Sequence, residues 1–106
     1  MEIRRVRDEI SFSEEKMSKN ALFYSPRLFY DAYCLLPGQG QRVHAHEASD
    51  KVYYVLEGTG RFTVGDEERD LGEGHAVIAH AGEPHGVRNE SGEDLVLLVT
   101  MAPRPS

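Results

Sequence analysis

The chain has 106 residues, with 18 acids against 12 bases and a net charge of -6, a length that suits one small domain with a real core and no internal boundary. Its bases are scattered apart from Arg4, Arg5 and Arg7, so it lacks the basic stripe that phosphate-backbone binding requires, and nucleic acid is not expected as a partner. The opening MEIRRVRDEI is charged throughout, without the apolar run of a signal peptide, and the longest aliphatic block, Leu95 to Val99, is far too short to span a bilayer; a soluble, cytoplasmic protein with no membrane partner is expected.

In chain order, residues 1–19 read as an N-terminal arm, polar and mixed in sign, with Ile3 and Val6 as the candidates for a short strand. From Asn20 to Ser106 the character changes to short apolar and aromatic runs punctuated by turn residues, the pattern of one all-β domain. ALFYS is the first predicted strand; LFYDAYCLL follows Ser25-Pro26 and is ended by Pro37, Gly38 and Gly40. KVYYVLE and GRFTVG flank Gly58-Thr59-Gly60, and both are rich in the β-branched and aromatic residues that suit a pleated surface. ERDL, HAVIAH, HGVRN and DLVLLVTMA complete the series, divided by turns at Gly65 to Glu67, Gly72 to Gly74, Gly82 to Pro84 and Ser91-Gly92. About nine strands at short, regular spacing predict a small antiparallel sandwich or barrel.

Cys34 is the only cysteine, which excludes an intrachain disulfide; within FYDAYCLL it reads as a small buried hydrophobe. KVYYVLE and DLVLLVTM are apolar on both faces. One face fills the interior and the other needs a partner sheet, which a homodimer supplies most simply.

His44 and His46 stand one residue apart in GQGQRVHAHE, and an extended segment points both imidazoles to one face. Downstream, His85 follows Gly82, Glu83 and Pro84. If the chain folds back to bring His85 beside the pair, three neutral imidazole nitrogens converge in a divalent-metal site. His75 and His80 flank their strand at odd spacing, on opposite faces, and read as surface or turn residues. Tyr53, in phase with Lys51, is a candidate proton donor or substrate contact, against the alternative of core filling.

These residues resemble the cupin superfamily, in its small single-domain form. Gly38, His44, His46 and Gly58 match the glycine, paired histidines and closing glycine of the first cupin motif, with Lys51 where that motif has glutamate. Gly74, Gly82, His85 and Asn89 match the second motif, with His80 in place of its usual proline. The resemblance implies a small β-barrel of the jelly-roll type, a double-stranded β-helix. It also implies that any metal is held by the two first-motif histidines, the glutamate and the second-motif histidine.

Carried over residue by residue, His44, His46 and His85 are present, but Lys51 is cationic and has no lone pair to offer. The site is then a three-histidine one, one that recruits Asp50, or no metal site. Asp50 is out of phase with Lys51 and faces inward only if a bulge follows His46; Glu47 points outward. Lys51 itself either forms a surface pair or sits in the pocket to hold a carboxylate or phosphate as a point charge.

Cupins span many reactions, so the resemblance names none. The expected function is a metal-dependent enzyme of isomerase or dioxygenase type. Its ligand is a small polar molecule such as a sugar derivative, keto acid or thiol. His44, His46 and His85 would hold Zn, Fe, Mn, Ni or Cu, with Tyr53 or Lys51 as catalytic group. The alternatives are a non-catalytic small-ligand-binding or sensory module, and a metal-free barrel used for association.

Overall fold

The computed structural model describes residues 1–105, and among them the strands run in the order β1 (Ser18–Tyr24), β2 (Phe29–Leu35), β3 (Gly40–His44), β4 (Asp50–Glu57), β5 (Gly60–Val64), β6 (Glu67–Leu71), β7 (Ala76–Ala79), β8 (His85–Arg88) and β9 (Leu95–Ala102). They form a five-stranded sheet, β1-β2-β9-β4-β7, and a four-stranded sheet, β3-β8-β5-β6. All pairings are antiparallel. The all-β, jelly-roll-like expectation holds, with two sheets enclosing one core. Among the described residues no helix is long and apolar enough to cross a membrane.

Period-two alternation places the core. Along β4, Lys51, Tyr53 and Val55 are buried while Val52 and Tyr54 are exposed. Across the ladder, Tyr53 pairs with Val99, and Val99 with Asp31, so the inward rows of β2, β4 and β9 meet. Tyr33, Leu35, Tyr53, Val55, Leu95, Leu97 and Val99 form one cluster with Phe62 and Val87 of the smaller sheet. At roughly 25 cal/mol per Å² of apolar surface removed from water, this cluster is the main source of stability.

The N-terminal segment corrects one expectation. Ile3 is exposed and Val6–Glu9 form a short 3-10 helix instead of a strand, because four charged residues between Arg4 and Asp8 leave no apolar face for a sheet to bury. The segment nevertheless lies against the larger sheet. Arg7 pairs with Glu57 at 2.9 Å, the Ser11 carbonyl accepts from Asn20 Nδ2 at 3.0 Å, and the Ser13 carbonyl accepts from Gln39 Nε2 at 2.6 Å. Cys34, buried as expected, lies 3.5 Å from the same Asn20 amide. The first strand begins at Ser18.

Gly58 turns β4 into β5 with φ +85°, and a Cβ there would stand 2.4 Å from the Asp94 carbonyl oxygen. Gly74 has the same φ with open space around it. Gly58→Ala therefore lowers stability by about 2–4 kcal/mol and Gly74→Ala by only about 1 kcal/mol, both read from urea unfolding midpoints. Equal losses would remove the steric argument at Gly58.

A candidate metal centre beside a cationic pocket

His44 closes β3 and His85 opens β8, and the two are direct partners across the ladder. His46 follows in the next loop, tied down where Gly82 N–H donates to its carbonyl at 2.8 Å. Ring centroids lie 4.6 Å apart for His44 and His85, 4.9 Å for His44 and His46, and 5.6 Å for His46 and His85. One donor nitrogen from each falls within 4.8 Å of the others. The expected convergence of the three is therefore present.

Tautomers follow from the partners. His44 Nδ1 lies 2.7 Å from the Arg42 carbonyl and His85 Nδ1 lies 2.9 Å from the Glu83 carbonyl. A carbonyl only accepts, so each Nδ1 carries the proton and each Nε2 keeps its lone pair. His85 Nε2 is buried and has no hydrogen-bond partner among the described residues, which is the condition of a nitrogen shaped for an ion. Burial also holds the His46 and His85 imidazoles below the usual histidine range, assisted by His44 and Lys51 and, for His85, opposed by the Glu83 carbonyl. The neutral form, which ligates, is favoured. These residues fit a divalent metal.

Lys51 enters the pocket and not the surface. Its alternation on β4 buries it to 1% exposure; Nζ donates to Gln41 Oε1 at 3.1 Å and lies 5.2 Å and 5.0 Å from the Tyr33 and Tyr53 ring centres. Among the described residues, no carboxylate lies within ion-pairing distance of it. Burial and the nearby Lys19 push its pKa down to about 7, with Asp31 acting in the opposite sense. Asp31, buried on β2 with Oδ1 unpartnered, is itself held above the usual carboxylate range by burial, against the pull of Lys19 and Lys51.

The remaining candidates stand elsewhere. Tyr53 is fully buried below the histidines: its hydroxyl donates to Gln41 Oε1 at 3.3 Å, and its ring lies 6.3 Å from that of His85. Burial raises its pKa far above neutrality, so it stays protonated. Asp50 is not a member of the cluster: it is exposed, and its Oδ1 accepts from Ala81 N–H at 2.8 Å. The reason is register, since β4 pairs regularly from Asp50 through Tyr54 and its irregularity comes only after Val55; no bulge turns Asp50 inward. Glu47 is exposed, His75 Nδ1 donates to the Gly72 carbonyl in its turn, and His80 is exposed in a turn of its own.

A cavity of about 540 Å³ opens beside the cluster, lined by His44, His46 and Lys51, with Lys19, Arg42 and Gln41 on its walls. Sequence reading missed the last three and Asp31. Asp31 carried a signal, being a charge in phase with Tyr33 and Leu35. Gln41 carried none, because the register shift in β3 between Gln41 and His44 breaks the period-two count that would separate them.

The Lys51 environment fixes a pH dependence. From about pH 7 up to the ordinary lysine value of 10.5, the unfolded chain binds a proton that the folded chain does not, so stability rises with pH. Below that window both states are protonated and the buried charge opposes folding in full. For Lys51→Met, the unfolding free energy of the variant minus that of the parent is thus largest near pH 6 and falls toward pH 9, at up to about 1.4 kcal/mol per pH unit. A difference that stays flat over that range would refute the buried-cation reading.

Comparison with known proteins agrees with this geometry. The family described as "Cupin domain" matches residues 32–101. A Thermotoga maritima protein named oxalate-binding protein is 31% identical over 85 residues, 80% of this chain and 69% of its own length. Among solved structures, TT1209 from Thermus thermophilus is 54% identical with a TM-score of 0.96, over 99% of this chain and 100% of that one. An RmlC-like cupin from Desulfovibrio desulfuricans is 27% identical with a TM-score of 0.85, over 99% of both. With two sheets, paired motif histidines and a domain match over most of its length, the chain belongs to the cupin family as a small cupin domain.

Proposed function

We propose that this cupin holds a divalent metal on His44, His46 and His85 and acts on a small carboxylate-bearing molecule, such as a dicarboxylate or keto acid, bound in the adjoining cavity. The observation that carries the reading is the orphaned, buried His85 Nε2 converging with the imidazoles of His44 and His46, which line a cavity that Lys51 also lines. When bound, the ion supplies a Lewis acid that polarises a carbonyl or carboxylate oxygen. Lys51 neutralises ligand charge and, with its lowered pKa, serves as the candidate proton carrier. Tyr53 holds Gln41, and through it Lys51, in place. The name of the Thermotoga relative supports oxalate as the first ligand to test.

A non-catalytic binding role is the second reading. It is favoured by the burial of Tyr53, which is not among the residues lining the cavity, so that of the two catalytic candidates only Lys51 reaches it. In either role the protein works in the cytoplasm, where a free, buried Cys34 stays reduced. It does so as a homodimer that covers the exposed outer face of β4 and β7, where Val52, Tyr54 and Ile78 stand.

Elemental analysis of the purified protein is expected to find near-stoichiometric Zn, Mn, Fe, Ni or Cu, and loss of that metal in a folded His44→Ala, His46→Ala double variant. Metal content unchanged in the variant would end the three-histidine reading. Carbon-13 NMR of oxalate incubated with metal-loaded protein separates the two roles: new carbon signals indicate turnover, and shifted or broadened oxalate alone indicates binding. Light scattering is expected to give twice the chain mass, and Tyr54→Asp to return it to that of one chain.

A further inference from the structure

Charge around the three histidines is unbalanced for a lone dication. Among the described residues the cluster contains His44, His46 and His85 and no carboxylate, and neutral imidazoles bring no negative charge. The same cavity is lined by Lys51, Lys19 and Arg42. Asp50 is turned away onto Ala81, and Glu47 is exposed. Asp31, on which the charges of Lys19 and Lys51 act, has a buried carboxyl held toward its neutral form by desolvation and is not among the converging donors. Among the described residues, Lys51 is bonded only to a neutral amide and two ring faces. An ion placed here adds positive charge beside the buried Lys51, where screening is weak, whereas Lys19 and Arg42 are exposed to solvent.

We infer that metal and anion bind this chain jointly: a small carboxylate ligand supplies from the cavity the negative charge that the protein's own donor set lacks, and Lys51 makes the site dependent on it. The inference rests on the three-histidine reading above and adds that each partner binds more weakly alone than in the presence of the other. Lys51 opposes the ion by like charge and attracts the anion, so occupation by one relieves what the other faces. Such coupling is reciprocal: the factor by which the anion tightens the metal equals the factor by which the metal tightens the anion.

The test is Mn2+ binding to metal-stripped protein by equilibrium dialysis, without oxalate and at fixed oxalate. A metal buffer sets the free-ion concentration, so that oxalate's own complex with Mn2+ is accounted for. Oxalate is expected to tighten Mn2+ binding roughly tenfold or more, with the same factor in the reverse titration. In Lys51→Glu, Mn2+ binding without oxalate should strengthen and the oxalate factor fall to near unity. A buried glutamate can unfold the chain, so Lys51→Met is measured beside it: loss of the cation should raise Mn2+ affinity in the absence of oxalate and shrink the oxalate factor. Equal Mn2+ affinity with and without oxalate overturns joint binding, as does an oxalate factor unchanged in Lys51→Met. Failure of both Mn2+ and Zn2+ to bind in either condition instead removes the three-histidine site itself.

Discussion

The pairing of His44 with His85 across the β3–β8 ladder is the constraint on which the site depends. It places two imidazoles opposite one another at the end of the smaller sheet, and the loop carrying His46 closes over them through the Gly82 to His46 hydrogen bond. Because β8 also pairs with β5, His85 cannot shift without moving the sheet centre. The close approach of β3 and β8 needs Gly86, where a Cβ would meet the Gln41 carbonyl oxygen at 2.9 Å and Val43 N at 3.1 Å. Carbonyls of Arg42 and Glu83 then set the tautomers, so backbone geometry fixes which nitrogens are free.

Against this rigid arrangement stands a buried cation. Folded chains seldom keep a lysine away from water without a carboxylate partner, since its desolvation is uncompensated. Here partial compensation comes from Gln41 Oε1, shared with the Tyr53 hydroxyl, and from the faces of two tyrosines. An apolar residue would fit this position at less expense in stability. A lysine kept at the wall of a cavity that adjoins the histidines is the feature on which the proposed ligand role of Lys51 rests.

The larger sheet has an outward face that is covered over one part and exposed over another. Over β1 and β2 the N-terminal segment provides the cover, held by Ser11 to Asn20 of β1, by Ser13 to Gln39 ahead of β3 and by Arg7 to Glu57 of β4, and Ala32 and Cys34 are fully buried although they point away from the core. Over β4 and β7, Val52, Tyr54 and Ile78 remain exposed. A charged segment can therefore stabilise the domain without a strand of its own.

Much of the architecture was legible because strand periodicity is local. Every predicted strand from ALFYS to DLVLLVTMA is found, and strand alternation puts Lys51 and Tyr53 on one face and Asp50 on the other from phase alone. The three histidines were equally legible, their spacing matching two motifs in order. By itself, the sequence determined the all-β class, the family and the candidate ligands, since each is written in short-range pattern. Only the tertiary structure decided that Lys51 is a pocket cation with no ion-pair partner among the described residues, that Asp50 caps Ala81, that Tyr53 is buried close to the His85 ring, and that Gln41, Lys19 and Arg42 line the cavity. Those outcomes depend on ladder register, on the irregularity in β3 and on packing between residues distant in the chain, and none of these leaves a periodic mark in the sequence.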